Sequence, residues 1–186
     1  MNIGNYIRYT IFQTGWGYFG LASTEAGLCR SFLPLPDKEQ AEQQLRSVYR
    51  AVTHDARLFY PVQQKIQAYF RGRNVNFGPD VRVDLTEITN SEFAKKILTA
   101  CRDIKYGCTV TYAQLAAQAG SASAARAAGS VMAHNPLPLI IPCHRVIRSD
   151  GKIGGFSAAD GPETKKRLLK LESCTGYCNT KCKVGN

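Results

Sequence analysis

Apolar and polar residues alternate along the first part of the chain with the two-residue period of half-buried strands. Residues 6–12 alternate and are rich in Tyr, Ile and Phe, and residues 18–22 and 28–33 are predicted to be two further strands. Gly15-Trp16-Gly17 and Glu25-Ala26-Gly27 separate the three segments and are typical of turns. The pattern therefore predicts an antiparallel meander of three strands.

The period then lengthens to that of amphipathic helices. Asp37 can cap a helix from about residue 38 to 52 that turns Leu45, Val48 and Val52 inward. A second helix is predicted to run from Pro61 to about residue 70. Residues 71–90 are irregular in pattern, with one short strand expected near 81–85. We expect an α/β domain over residues 1–88, a second domain over 89–173 and a polar, cysteine-containing tail over 174–186.

The second half reads as mainly helical. A helix should begin after Ser91, and another should run from Tyr112, capped by Thr111, to a left-handed stop at Gly120. A third should begin at Ser121 or Ser123 and end near residue 134, and a last one should span 162–172. Two short helices joined by a glycine turn form a helix-turn-helix pattern, which by itself is weak evidence because many helical pairs share it.

The third of these helices has an unusual face. Arg126 stands among very small side chains, and glycine within a helix costs about 1 kcal/mol relative to alanine. That face is formed by Ala122, Arg126, Gly129, Ser130 and Ala133, while Met132 borders the opposite face. A DNA groove would explain such a surface, with Arg126 entering the duplex. Close packing against another helix, with Arg126 in solvent, is the structural alternative.

An apolar, proline-stiffened run from Leu137 to Pro142 leads directly to Cys143, His144 and Arg145. A thiol at the end of a rigid buried segment and beside an imidazole can be converted to a thiolate nucleophile. A core cysteine next to a structural histidine is the simpler alternative, because buried cysteines are common. The flanking residues are needed to decide between them.

Composition narrows the choice of partner. The 186 residues have 44% hydrophobic and 20% charged residues, which is typical of a globular protein, and the formal net charge is +10. That excess favours polyanions, nucleic acid first, over a solvated basic surface without a partner. Seven cysteines without even spacing, and no signal-like start, lead us to expect an intracellular protein with free thiols rather than a disulfide framework.

The motifs together resemble the O6-alkylguanine-DNA alkyltransferases. The resemblance covers about residues 90–172 strongly and the amino-terminal part weakly, through Gly-Leu-Ala-Ser-Thr-Glu-Ala-Gly. The matching segments are Ile104-Lys-Tyr-Gly, Thr111-Tyr-Ala-Gln-Leu-Ala, Ala125-Arg-Ala-Ala-Gly-Ser-Val-Met, Asn135-Pro, Ile141-Pro-Cys-His-Arg-Val and Gly154-Gly-Phe-Ser. It implies an RNase-H-like α/β domain followed by a mainly α domain of helix-turn-helix, winged-helix-like architecture.

The resemblance also implies roles for individual residues. Cys143 would take an alkyl group, methyl first, from O6-alkylguanine in double-stranded DNA, activated by His144 and by Glu172 as the carboxylate behind the histidine. Asn135 would orient these groups. Tyr112 would crowd the phosphate and protonate the leaving guanine, and Arg126 would fill the gap left by the flipped base. The remaining implied contacts are DNA binding by Ala125, Gly129 and Ser130, and a substrate pocket lined by Met132, Val146, Phe156 and Ser157.

Further expectations complete this hypothesis. No cofactor, metal or membrane contact is expected, and a monomer is expected, cytoplasmic in a prokaryote or nuclear in a eukaryote. Glu163 is the alternative partner for His144. Cys108, where relatives often carry an acidic residue, is expected to be an exposed loop thiol without a role, and Cys174, Cys178 and Cys182 are expected to be free. A non-repairing lesion binder and a Cys-His-Glu hydrolase of small substrates are the competing functions.

Overall fold

The chain divides into two units, Met1–Ile88 and Thr89–Asn186, in a computed structural model that describes residues 6–158 and 161–173. Each unit is described by itself. Among the described residues, no helix is both long and apolar enough to cross a membrane.

A four-stranded sheet forms the first unit. It comprises β1 (Ile7–Thr14), β2 (Gly17–Ser23), β3 (Leu28–Leu35) and β4 (Val52–His54), in the order β3-β2-β1-β4. The three-strand antiparallel meander is as predicted, and β4 adds to β1 in parallel. The core lies between the sheet and the first helix, and its fully or nearly buried members include Ile7, Tyr9, Ala22, Cys29, Ala41 and Leu45.

Helix α1 (Lys38–Val48) is shorter than predicted. Asp37 caps it as expected, because its carboxylate accepts hydrogen bonds from the backbone N–H groups of Glu39 and Gln40. The predicted extension to residue 52 is wrong, since Val52 pairs with Ile7 in the sheet instead of continuing the helix. Val48 is consequently exposed rather than turned inward.

The predicted strand at 81–85 is also wrong. Helix α2 (Tyr60–Tyr69) is followed by irregular chain in which Leu28 and Val83 form one isolated bridge, and then by the short helix α3 (Leu85–Ile88). Side-chain chemistry fixes this segment: the Asp84 carboxylate accepts a 2.6 Å hydrogen bond from Thr24 Oγ1. A side chain at Gly27 would lie 2.9 Å from backbone atoms of Arg82, so only glycine permits this close approach.

Four helices frame the second unit: α4 (Glu92–Arg102), α5 (Tyr112–Gln118), α6 (Ala125–Ala133) and α7 (Pro162–Ser173). A short 3₁₀ turn (Cys143–Arg145) and two paired parallel strands, β5 (Val110–Thr111) and β6 (Val146–Ile147), lie among them. The predicted caps at Ser91 and Thr111 are present, and Gly120 has the predicted left-handed backbone (φ +79°). Helix α6 begins at Ala125, later than the predicted start at Ser121 or Ser123.

Candidate active site

The segment that leads to Cys143 is buried and held by one side chain. Asn135 donates through Nδ2 to the Ile141 carbonyl (2.8 Å) and accepts through Oδ1 from the Leu137 backbone N–H (3.0 Å). Leu139, between these two anchors, is fully buried and has a left-handed backbone with φ +75°. The anchors therefore fix the approach to Cys143 in a conformation that a leucine seldom adopts.

Burial dominates the chemistry of the Cys143 thiol. The residue is only 6% exposed, and burial raises the pKa of its thiol. A hydrogen bond with Asn135 and the positive charge of Lys165 act in the opposite direction. At neutral pH the resting group is therefore a thiol, and a neighbouring base has to accept its proton before it can act as a strong nucleophile.

His144, which directly follows Cys143 in the chain, forms a hydrogen-bonded pair of an imidazole and a carboxylate with Glu172. His144 Nε2 lies 2.8 Å from Glu172 Oε1, and both side chains are almost completely buried. Burial lowers the pKa of His144, so the imidazole is neutral at pH 7. Because Glu172 is ionised, the short contact places the imidazole proton on Nε2, and Nδ1 is then the basic nitrogen.

Glu172 also receives a buried arginine. Arg145 Nη2 and Nε donate to its carboxylate at 2.9 to 3.2 Å, and the Gly107 backbone N–H donates to Oε2 at 3.0 Å. Burial alone would raise the pKa of Glu172, but the hydrogen bonds and charges of His144 and Arg145 outweigh it and hold that pKa far below its usual range. One carboxylate thus connects α7, the loop before β5 and the 3₁₀ turn.

Lys165 is a second buried cation that sequence reasoning missed. Its ammonium donates to the Val146 carbonyl at 2.6 Å and lies 5.8 Å from the centre of the Tyr112 ring. Burial lowers the pKa of Lys165, and interaction with the Cys143 thiol acts against that shift. Among the described residues of this unit, two cations, Arg145 and Lys165, are buried, whereas Glu172 is the one buried carboxylate. The excess of buried positive charge favours a thiolate at Cys143.

A pocket of about 250 Å³ opens above Cys143. Gly129 and Gly154 leave room for the Tyr112 side chain, since a Cβ added at either would come within 3.8 or 3.4 Å of it. The pocket is lined by Tyr112, Gly129, Met132, Ala133, Cys143, Gly155, Phe156 and Ser157. Two larger surface grooves, at the start of α1 and between α4 and α5, have neither cysteine nor histidine in their linings. The thiol at the pocket floor therefore marks this site as the candidate for chemistry.

Helix α6, which lines this pocket, also carries an exposed arginine. Arg126 and Ser130 are exposed on α6, whereas Ala128 and Met132 are buried against the unit, as their spacing predicts. Residues 89–186 carry 14 of the 24 basic and six of the 14 acidic residues, so most of the net charge of +10 belongs to this half of the chain. Such a distribution is typical of a polyanion-binding unit.

Comparison with known proteins decides the family. The ribonuclease-like domain of 6-O-methylguanine DNA methyltransferase matches residues 7–85, and the DNA-binding domain of that protein matches residues 92–174. The chain belongs to the 6-O-methylguanine DNA methyltransferase family. The predicted fold, an RNase-H-like unit followed by a helical DNA-binding unit, is confirmed by this match.

Individual members of the 6-O-methylguanine DNA methyltransferase family are similar over different lengths. A methylated-DNA–protein-cysteine methyltransferase of Methanosarcina acetivorans is 35% identical over 89% of this chain and 99% of its own. The corresponding protein of Mus musculus is 42% identical over 58% of this chain and 51% of its own. A crystal structure of Mycobacterium tuberculosis OGT in complex with DNA has a TM-score of 0.70 and 30% identity, covering 90% of this chain and 93% of that chain.

Within this member of the 6-O-methylguanine DNA methyltransferase family, most of the predicted site residues meet. Cys143 and the pocket residues Tyr112, Met132, Phe156 and Ser157 are together, but Val146 does not line the pocket. The Val146 carbonyl accepts a hydrogen bond from Lys165. The Ser157 hydroxyl donates to the Ala133 carbonyl at 2.6 Å, so it is already engaged.

Two expectations about single residues are corrected or narrowed by the structure. Glu163 is exposed and pairs with Lys166, so Glu172 is the carboxylate that contacts His144. The expectation of a free, exposed thiol at Cys108 is wrong, because Cys108 is half-buried and disulfide-bonded. The cysteines at 174, 178 and 182 lie outside the described residues.

Proposed function

We propose that this protein repairs DNA by transferring the alkyl group of O6-alkylguanine irreversibly to its own Cys143. The observation that carries this proposal is a buried thiol that lines a small pocket and is followed in the chain by an imidazole hydrogen-bonded to a carboxylate. Family membership supports a DNA substrate, since the related Mycobacterium tuberculosis OGT has a crystal structure in complex with DNA. The methyl group is the smallest alkyl group that this chemistry would move.

Activation begins at His144. Its neutral imidazole accepts the thiol proton, through a water molecule, while Glu172 stabilises the imidazolium that results. The Cys143 thiolate then attacks the alkyl carbon in an SN2 step, in which the C–O6 bond breaks as the S–C bond forms. The departing guanine takes up a proton from the Tyr112 hydroxyl at the pocket wall. A thioether has no hydrolytic or thiol-based route back, so each molecule acts once.

Access to the thiol requires an extruded nucleotide. Cys143 lies at the floor of the pocket, where a base still stacked in a duplex cannot reach it. Helix α6 would enter the DNA with Ala125, Gly129 and Ser130 close to the backbone, and Arg126 would replace the flipped base in the stack. The Phe156 ring would stack on guanine, and Asn135 would hold the approach segment during this step.

Two competing functions explain less of the molecule. A hydrolase of small substrates would use Cys143, His144 and Glu172, but it leaves the exposed Arg126 and the basic charge of this unit without a role. A lesion binder without repair activity would need the exposed Arg126 of α6 but not a thiol in the pocket. We propose that the protein acts as a monomer, in the cytoplasm of a prokaryote or the nucleus of a eukaryote.

Stoichiometric transfer tests the proposed function. Protein is mixed with excess duplex DNA that carries O6-methylguanine labelled with tritium in the methyl group, and the protein is then analysed by intact mass and peptide mapping. We expect a burst that stops at one equivalent, with one methyl group on Cys143, and no label in Cys143→Ser. Repeated turnover would support a hydrolase, and binding without label would support a lesion binder.

A further inference from the structure

The carboxyl end of α6 is completed by a side chain from a distant loop. The last four carbonyls of a helix have no partner within it. In α6 the His134 ring donates through Nδ1 to the Ser130 carbonyl at 2.8 Å, and backbone N–H groups just beyond the helix donate to the next two carbonyls. The Ala133 carbonyl, the last of the four, accepts from the Ser157 hydroxyl at 2.6 Å, across 24 positions of sequence. Ser157 therefore caps a helix to which it does not belong.

Ser157 ends a short loop, residues 153–157, which we call the substrate loop because it carries Phe156 to the pocket wall. Gly154 has a left-handed backbone with φ +71°, and the two consecutive glycines give the loop no side chains to pack beside the half-buried Ile153 and Phe156. In the part of the chain that the structure describes, the Ser157 hydroxyl makes the one hydrogen bond between this loop and another segment. The position of Phe156 therefore depends on a single polar contact.

The same helix end also holds the segment that carries the thiol. Asn135 lies two residues beyond α6, and its backbone N–H donates to the Met132 carbonyl at 3.3 Å. Its side chain donates to the Ile141 carbonyl at 2.8 Å, two residues before Cys143. Phe156 and Cys143 thus take their positions from one helix end. Efficient transfer needs the reacting atoms about 3–3.5 Å apart, so the relative position of these two sides of the pocket matters for the reaction.

We propose that Ser157 is a positioning residue, which fastens the substrate loop to the end of α6 and so forms the guanine pocket before a substrate arrives. This inference rests on the proposed function and deepens it. A serine hydroxyl has one hydrogen to donate, and here the Ala133 carbonyl accepts it, so the hydroxyl does not donate to guanine while the loop is attached. Without the attachment, the loop spends part of its time with Phe156 away from the base, and the apparent affinity for guanine falls by that fraction.

Single-turnover reaction of the full-length protein with free O6-benzylguanine separates positioning from substrate contact. Ser157→Ala should raise the half-saturating concentration by about 2- to 10-fold, the range expected for the loss of one hydrogen bond, and leave the limiting rate unchanged. Ser157→Thr keeps the hydroxyl and should restore the wild-type value. Ser149→Ala is the matched control, because this exposed serine precedes the loop and its hydroxyl makes no hydrogen bond within the described residues. A lower limiting rate at an unchanged half-saturating concentration would overturn the proposal and assign the hydroxyl to the reacting guanine.

Native-state proteolysis tests the attachment without a substrate. Chymotrypsin cleaves after Phe156 only when the loop leaves its place, so cleavage should be about 2- to 10-fold faster in Ser157→Ala than in the wild type or Ser157→Thr. Each rate is divided by that of the same variant unfolded, which removes the effect of residue 157 on the protease.

Global stability serves as the control for this measurement. Melting temperatures should agree closely, because Ser157 and Ala133 are both exposed and water can replace the hydroxyl at the carbonyl. Equal cleavage of the alanine and threonine variants would refute the attachment. Absence of alkyl transfer in every variant, the wild type included, would instead refute the proposed function, while the cleavage result stands on its own.

Discussion

Glu172→Gln should separate the two tasks of the carboxylate, which orients His144 and neutralises Arg145. The amide keeps one acceptor oxygen but turns an N–H₂ group toward donors from His144, Arg145 and Gly107. Removing one partner of a buried ion pair costs about 3–5 kcal/mol, and the remaining oxygen leads us to expect about 3 kcal/mol. At about 2–4 °C per kcal/mol for a chain of this length, the melting temperature should fall by about 6–12 °C.

Alkyl transfer should fall by at least about 10-fold in the same variant, and by up to the ~10⁴-fold found when the carboxylate of a serine protease triad becomes an amide. Single-turnover transfer from methylated duplex DNA is measured at least 10 °C below the variant's melting temperature, together with DNA affinity, which should not change. Glu163→Gln is the control, because this exposed ion pair on the same helix is worth about 0–1 kcal/mol. Wild-type transfer by a folded Glu172→Gln protein would refute the role given to this carboxylate.

Three further outcomes are expected. Arg126→Ala should weaken repair of methylated duplex DNA far more than reaction with free O6-benzylguanine, which needs no extrusion; equal losses would remove the extrusion role. Acid should destabilise the fold, because burial lowers the pKa of His144 below its ordinary 6.5 and the network lowers that of Glu172. The unfolded chain then binds more protons, so stability present above about pH 6.5 is lost as the pH falls, and an unchanged urea midpoint between pH 7.5 and 5 would contradict this. Lys165→Met should raise the apparent pKa of alkyl transfer and slow it by about 10-fold at pH 7, whereas the exposed Lys170→Met should match the wild type in a pH–rate profile.

Local signals in the sequence predicted the elements that local chemistry determines. Thr111 and Gly120 bound α5 because a capping hydroxyl and a left-handed glycine act within a few residues. The end of α1 and the strand β4 were missed because Val52 is drawn into pairing with β1, a contact 45 residues away in sequence. The strand predicted at 81–85 is absent for a similar reason, since Asp84 accepts a hydrogen bond from the distant Thr24 and the segment does not pair as a strand in the sheet.

The residues of the site also differ in whether local sequence signals predict them. Cys143, His144 and the small residues of α6 stand in contiguous motifs, and the grouping of Cys143 with Gly129 and Ala133 around one pocket agrees with those motifs. Lys165 gave no comparable signal, because it belongs to a run of basic residues on α7 in which only the fold decides which one is buried. Its effect on Cys143 depends on the path of α7, and no spacing rule in the sequence encodes that path.

The left-handed backbone of Leu139 limits how the sequence before Cys143 can vary. Glycine would adopt φ +75° without strain, but deleting a fully buried leucine side chain removes contacts worth about 2–5 kcal/mol. Valine or isoleucine would fill the space and resist the backbone angle, while asparagine would accept the angle and bury an amide. Leucine therefore fills the buried space at the cost of a backbone strain of about 1–2 kcal/mol. Few other residues could replace Leu139 without moving the Cys143 thiol.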